Sequence, residues 1–577
     1  MLNLSLKYIS FTFLFLFVNI SISSAAPPDA GGILNEQQQM QQSIPDRLQQ
    51  GEGQGESKTF SSDTDVKVLV KGFHFSGFEG LAEETELQKI AADAIGQELS
   101  FAQLQQLASR VTNYLKKEKG YLLARAYLPQ QDVTEGTVEI AIIAGRLEGK
   151  AVIDMTGDSR IKPDILEGIA ARAVSSNEAL RLAKLERAVL LINDLPGLSA
   201  KASIEQGETS GTSQVIINVS EGRLIDTAVN MDNYGDRYTG CIRGGAQLSV
   251  NDPWGLGDQL SLNLNKAQRL NQARIDYGLP LGRTGLNGSL YYSYLNYKIG
   301  QEMEILDAKG TAQSIGASVI YPVIRSRRVG LWTTLGLDRA HLKDEALDAA
   351  TGDRKVLSAK AGFSSNIYDG FGGGGMTASS LNLYYGNIDL SGLKIAKDYD
   401  EAGPDTAGGY WRAAYSIARL QRLTKQMSFF ISARGQFSED NLDSSQKFIL
   451  GGPTGVRAYP VGEASGDDGH MMTAEVRCDL PLWGYMFNTQ LVSFMDTGIV
   501  HLHNNPWTGS ITNATGSNRY VLSGWGVGIN LSRTEFYSIR ASYARAMGAN
   551  DGRNQDGTNV DNQRDRGRFW LQAVMWF

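Results

Sequence analysis

Gly524-Trp525-Gly526-Val527-Gly528-Ile529-Asn530-Leu531-Ser532 decides the fold. Successive side chains of a strand point to opposite faces, so Trp525, Val527, Ile529 and Leu531 make an apolar face and the glycines, Asn530 and Ser532 a small, polar one. A wall with lipid on one side and water on the other needs this division. Working back along the chain, Leu260, Leu262 and Leu264 alternate in the same way with Gln259, Ser261 and Asn263. The period of two holds from about Arg223 to the end. About sixteen strand-like segments share the 355 residues of 223–577, roughly 22 residues per strand and connection, which suits ~10-residue spans. An even count returns both ends to one side of the membrane. The last segment sets Phe569, Leu571, Ala573, Met575 and Phe577 on one face, the regularity required of a strand that closes on the first. A soluble β-sandwich would alternate too, but would have to hold all these strands in one unbroken unit.

The rest of the composition agrees. The 64 glycines are about 11% of 577 residues, against an average near 7%, and the excess falls mostly after position 230. Tyr8 to Ile22, behind Lys7, is a long apolar run that ends in Ser23, Ser24, Ala25 and Ala26. It reads as a secretory signal peptide spanning 1–25, the alternative being a membrane anchor. Nothing else approaches the eighteen or so apolar residues of a spanning helix, so membrane insertion has to be by closed barrel. Cys241 and Cys478 are no disulfide scaffold. A net charge of −7 argues against a nucleic-acid binder.

Residues 26–64 are polar and Gln-rich, too poor in apolar side chains to bury a core. Gly31 to Ser43, with Ile33, Leu34 and Met40, has the makings of a short helix, and a linker follows. Two units of one element order come next. In the first, 65–147, strand character at Val66 to Phe75 precedes helical patterns at Leu81 to Ile95 and Phe101 to Lys117, then strands at Ala124 to Tyr127 and Thr137 to Ile143. Ser100 and Gln103 have the capping-box spacing, and Leu104, Leu107, Val111 and Leu115 share one helical face. The second unit, 148–222, repeats the order: a strand at Lys150 to Met155, helices near Lys162 to Ala173 and Glu178 to Ile192, strands at Ser199 to Glu205 and Ser213 to Val219. The fold class is therefore two α+β units (β-α-α-β-β) followed by an all-β transmembrane barrel of about sixteen antiparallel strands, 223–577.

Several motifs together carry a resemblance: Gly120 to Gln131 (GYLLARAYLPQQ), Leu195-Pro196-Gly197, Asp232-Asn233-Tyr234-Gly235, Tyr238-Thr239-Gly240, Asn251-Asp252-Pro253 and Gly257-Asp258. With these the chain resembles the outer-membrane transporters of two-partner secretion, the haemolysin and adhesin secretors. The resemblance implies that the two small units are POTRA (polypeptide-transport-associated) domains in the periplasm. These would bind the N-terminal secretion domain of one large exoprotein, which passes through the barrel to the cell surface. The segment with Ile33, Leu34 and Met40 would be a plug helix in the resting pore. The partners implied are that exoprotein, outer-membrane lipid and, during biogenesis, the barrel-assembly machinery.

The resemblance also gives a role to Val456-Arg457-Ala458-Tyr459 and Phe494-Met495-Asp496-Thr497-Gly498. In the wider superfamily of POTRA-bearing barrels a long loop folds into the lumen, and its tip arginine meets the aspartate of the second motif. The expected lock is thus Val456, Arg457 and Tyr459 against Asp496 and Gly498, with Arg457 between strands eleven and twelve and Asp496 in strand thirteen. Ala458 stands where the family has Gly, which raises the question of a positive φ at the tip. Leu122, Leu123, Tyr127 and Leu128 are the candidates for client contact, though Leu122 and Leu123 also read as core strand residues.

Catalysis finds no support in the sequence. It holds no Gly-rich phosphate loop ending in Gly-Lys-Ser/Thr and no Gly-x-Ser-x-Gly elbow. His501 and His503 read as exposed turn residues, not metal ligands. The expectation is a non-enzyme with no cofactor and no metal. The rival readings are a general barrel-assembly factor, normally richer in POTRA domains, and a passive porin, which has no use for the periplasmic units.

Overall fold

The computed structural model describes residues 27–40, 67–157, 159–174, 179–208, 212–480 and 487–577. The signal-peptide assignment and most of the linker lie outside these residues. The first helix, α1 (Ala30–Met40), is separated in sequence from the two periplasmic units.

In the first unit β1 (Lys67–Leu69) and β2 (Gly72–Ser76) lead into α2 (Glu84–Ala91); β3 (Glu98–Ser100), α3 (Phe101–Lys117), β4 (Arg125–Tyr127) and β5 (Thr137–Ile143) follow. The β2 and β5 strands are parallel, β4 adds antiparallel to β5, and β1 and β3 form a separate pair. The capping box forms as its spacing predicts: Gln103 N–H donates to Ser100 Oγ (3.3 Å) and Ser100 N–H to Gln103 Oε1 (2.8 Å). The leucine face of α3 is buried with Phe75, Leu87 and Ile140.

The second unit contains β6 (Arg146–Leu147), β7 (Val152–Met155), α4 (Pro163–Ala173), α5 (Leu182–Asn193), β8 (Leu198–Gln206) and β9 (Thr212–Glu221). Both β6 and β7 run parallel to β9, and β8 antiparallel to it. A boundary after 147 is thus two residues late, because Arg146–Leu147 completes the sheet of the second unit.

Leu122 and Leu123 occupy a turn before β4, not a strand, and pack half-buried against the core of the second unit. Gly120, at φ +75°, turns the chain there. Leu122 N–H donates to Leu180 O (3.0 Å), Leu182 N–H donates to Gly120 O (2.9 Å), and Arg181 lies over the Tyr121 ring at 5.1 Å. The two units are joined by backbone pairing as well as by side chains.

Sixteen antiparallel strands then close into one barrel. The first (Ile225–Asp232) pairs with the last (Gly567–Trp576), Val229 opposite Met575. Phe569, Leu571, Met575 and Phe577 face outward. Asn233 of the Asp-Asn-Tyr-Gly motif extends the seam, donating to Phe569 O (2.8 Å) and accepting from Leu571 N–H (2.8 Å). Trp525, Val527 and Ile529 are exposed on the outer wall, as the alternation requires.

The second unit seats on the periplasmic turns. Asp194 receives Arg325 of the sixth strand through two hydrogen bonds (2.6 and 2.8 Å), Arg187 donates to Pro322 O (2.7 Å), and Lys162 N–H donates to Gly255 O (3.1 Å). Two of the sequence motifs meet here. A Cβ on Gly197 would come 3.0 Å from Asn251 Cβ, and one on Gly257 would come 3.2 Å from Leu195, so Leu195-Pro196-Gly197 packs closely against the turn that follows Asn251.

Candidate functional site in the barrel lumen

The lumen is obstructed by two elements. The segment between the eleventh strand (Met427–Ser438) and the twelfth (Asp468–Leu480) folds inward, placing Val456, Ala458 and Tyr459 in a buried cluster with Phe494 and Leu522 of the wall. At its tip Arg457 donates from Nε and Nη2 to the two oxygens of Asp496 (both 2.8 Å), from its backbone N–H to Asp496 (3.2 Å), and from Nη1 to Glu475 (2.9 Å). Its guanidinium carbon sits 3.4 Å from the Phe494 ring centre. Asp496, fully buried in the thirteenth strand (Asn488–His501), also accepts from Thr473 Oγ1 (2.9 Å). Trp570 Nε1 holds the Arg457 carbonyl at 2.7 Å. Charge-assisted bidentate bonds of this kind are about twice as strong as neutral ones, and here both carboxylates and the aromatic face are used by one side chain. Gly498 stands where a Cβ would meet Leu450 of the folded-in segment.

Ala458 needs no left-handed backbone: it is absent from the positive-φ residues and is buried. Its Cβ fits because Gly524 faces it, and a Cβ there would approach to 2.5 Å.

The second obstruction is α1. Asp29 caps it, accepting Gly32 N–H at 2.8 Å, and Ala30, Ile33 and Leu34 are buried in one cluster with Tyr238 of the loop after the first strand and with Leu295 and Leu342 of the wall. Gly31 touches the folded-in segment so closely that a Cβ would lie 2.5 Å from Ser444 Oγ. Asn35 donates to Lys447 O (2.6 Å), and Gln37 accepts from Arg243 (3.0 Å), which also reaches Met40 Sδ (3.1 Å).

One arginine ties helix, loop and wall together. Arg354, on the eighth strand (Ala349–Asp369), pairs with Asp29 of the helix cap (3.0 Å), Asp443 of the folded-in segment (2.7 Å) and Asp344 of the wall (2.7 Å). Asp344 also accepts from Ala30 N–H (2.9 Å) and Tyr297 Oη (2.6 Å). Sequence reasoning missed this node, since its acids stand 325, 10 and 89 residues away and share no local pattern. Glu475 and Trp570 were missed for the same reason, while Phe494 stood in the quoted motif without a role. Burial pushes the Glu36 carboxyl of α1 well above the usual range, with the Asp236 carboxyl adding repulsion; burial likewise pushes Asp236, in the loop after the first strand, up to about 6.

Of the client candidates, Tyr127 is exposed on β4, an edge strand, and Leu128 is half-buried against its own unit. His501 and His503 are packed, not exposed: His501 contacts Asn518 (3.0 Å), and His503 stands edge-on to Trp507 with ring centres 4.5 Å apart. Their loop folds back over strand ends, which a sequence of polar turn residues does not disclose.

With a POTRA-like pair, a closed barrel and an arginine-pinned inward loop in place, the comparison with known proteins is decisive. The family described as haemolysin secretion/activation protein ShlB/FhaC/HecB matches residues 211–531, and the ShlB-type POTRA domain matches 68–145. The chain belongs to this family. It is a two-partner secretion transporter of the outer membrane, with its POTRA domains in the periplasm. Among relatives in the family, the heme/hemopexin transporter protein HuxB of Haemophilus influenzae strain 86-028NP is 29% identical over 501 residues, 85% of this chain and 84% of HuxB. The outer membrane transporter CdiB of Escherichia coli O6:K15:H31 is 23% identical over 515 residues, 85% of this chain and 84% of CdiB. Among solved structures, CdiB from Escherichia coli superposes with a TM-score of 0.72 at 19% identity, covering 96% of this chain and all of that one. BamA from Haemophilus ducreyi lacking POTRA domains 1-3 gives 0.51 at 13%, covering 89% and 99%. These structural likenesses speak for the fold.

Proposed function

We propose that this transporter captures the N-terminal secretion domain of one large exoprotein on its POTRA domains and passes it unfolded through the barrel, without nucleotide hydrolysis and without catalysing a reaction. The observation that carries this reading is the doubly obstructed lumen, with α1 and the Arg457 loop sharing one anchor at Arg354. A passive pore has no need of such an obstruction, nor of periplasmic domains beside it. In the resting state α1 plugs the pore; a client would displace it, and folding of the client outside would supply the drive.

Capture by an extended chain suits a sheet edge, whose unpaired backbone groups add a strand. The edge strand β4 carries Tyr127, which is therefore a better candidate for client contact than Leu122 or Leu123, whose side chains serve the joint between the two units. Barrel-assembly machinery would insert the barrel during biogenesis.

The test places a photocrosslinking residue at Tyr291 or Tyr384, which line the lumenal cavity, and at lipid-facing Leu337 as control. One large polypeptide crosslinked in secreting cells from the lumenal positions alone is expected. Crosslinks to many barrel precursors would favour an assembly factor instead.

A further inference from the structure

We propose that the outer wall of the barrel carries a built site for the phosphate groups of the phosphorylated glycolipid in the outer leaflet of the membrane. The site consists of Arg339 and Lys343 on the seventh strand (Val329–Ala346) and Lys355 on the eighth.

The barrel register puts the three together. Arg339, His341 and Lys343 follow one another on the outward parity of the seventh strand, and Lys355 stands directly opposite His341. Diagonal neighbours on one sheet face are about 7–8 Å apart, so the three cations bound a patch of headgroup size. Arg339 and Lys343 are exposed and Lys355 is half-buried. Cations gathered on one face repel one another, and an anion seated among them relieves that repulsion.

The chain's own acids make no direct ion pair with them, although Asp389 acts on Lys355 through space. Asp353, the cross-strand partner of Lys343, is taken by His341 (2.7 Å). Asp389, opposite Lys355, accepts from Ser391 N–H (2.8 Å). Glu345 lies 3.8 Å from Lys309, which also reaches Asp307 and Asp348. Among the described residues no carboxylate comes within 4.0 Å of Arg339, Lys343 or Lys355. Direct ion-pair partners for the three cations therefore come from outside the protein.

The height of the patch identifies that source. Odd-numbered strands leave the periplasm, so the seventh strand runs outward and 339–343 lies in its outer part. At about 3.4 Å per residue and a tilt near 40°, Arg339 stands roughly 25 Å above Val329, the height of the lipid-facing apolar band. Beneath it on the same face are Leu335 and Leu337, and Leu357 and Ile315 flank Arg339 on the two neighbouring strands, all exposed. Acyl chains fit that band, and the cations meet whatever anionic group caps the chains on the outer side. In an outer membrane this is the phosphate of a glycolipid. A basic cluster at a bilayer surface binds such headgroups through charge and hydrogen bonds.

The test uses the full chain in nanodiscs and native mass spectrometry, with bisphosphorylated lipid A as the probe. Wild type is expected to retain it, the dephosphorylated glycolipid much less, and R339Q/K343Q/K355Q to bind it roughly a hundredfold more weakly. A heat-modifiability gel reports whether the triple variant is folded. If it is not, K343Q alone is used, with about a fivefold loss expected. Equal retention by variant and wild type would overturn the site. So would release by millimolar inorganic phosphate, which would mark a soluble-anion site, or equal retention of phosphatidylglycerol, which would mark mere surface charge.

Discussion

The Cβ of Ala458 occupies the space that Gly524 leaves open on the barrel wall, where a second Cβ would come within 2.5 Å. The tip of the inward loop and the fourteenth strand (Arg519–Arg533) therefore fit as a small-residue pair. Gly524→Ala should displace the tip, overpacking costing about 1–3 kcal/mol. The double variant Gly524→Ala with Ala458→Gly should recover most of the loss. Thermal heat-modifiability of the purified barrel measures both, and an absence of recovery would show that the two residues do not share this contact.

Arg457→Ala is expected to leave the barrel assembled and to impair secretion. It removes the guanidinium that serves Asp496, Glu475 and the Phe494 face together, and a buried pair broken on one side costs about 3–5 kcal/mol. Arg457→Lys should rescue poorly, since an ammonium lacks the planar fork. Immunoblots of outer-membrane and secreted fractions separate assembly from export, and normal secretion by Arg457→Ala would remove the role assigned to it.

Arg354→Ala should unseat α1. Without the arginine, Asp29, Asp344 and Asp443 face one another uncompensated, again a loss of about 3–5 kcal/mol. Planar-bilayer recordings should show frequent large openings, like those of a variant lacking residues 27–40. Gly31→Val should act in the same direction through the clash with Ser444 and Ser445. Closed, wild-type-like traces from both would mean that α1 is not held as described.

Seating of α1 should also depend on pH. While seated, burial keeps the Glu36 carboxyl well above its ordinary range; released into water it returns to about 4.3. The seated state then binds more protons than the released one, so its stability is full below the ordinary value and is lost as pH rises through the raised one. Openings are expected to be rarer at about pH 5 than at about pH 8, and Glu36→Gln should flatten the dependence and favour closure. An unchanged pH response in that variant would assign the effect to another group.

The sixteen strands were legible because lipid on one side and water on the other write a period of two into every span, as at Trp525, Val527 and Ile529. The α3 helix was legible to the residue because Ser100, Gln103 and its leucine face are local signals. Arg457 and Asp496 came from motif resemblance, not from physics of the sequence alone. What could not be read is what closure of the barrel brings together: Arg354 with Asp29 and Asp443, Trp570 with the Arg457 carbonyl, Ala458 with Gly524. Leu122 and Leu123 misled because an apolar pair beside a strand looks alike whether it faces its own core or a neighbour's.

The most direct test of a dedicated exporter compares the secreted and outer-membrane proteins of the native strain with and without this gene. The account predicts that one large protein disappears from the medium or cell surface while other barrels stay at normal levels. Depletion of many barrels together, or a change confined to small-solute uptake, would contradict it.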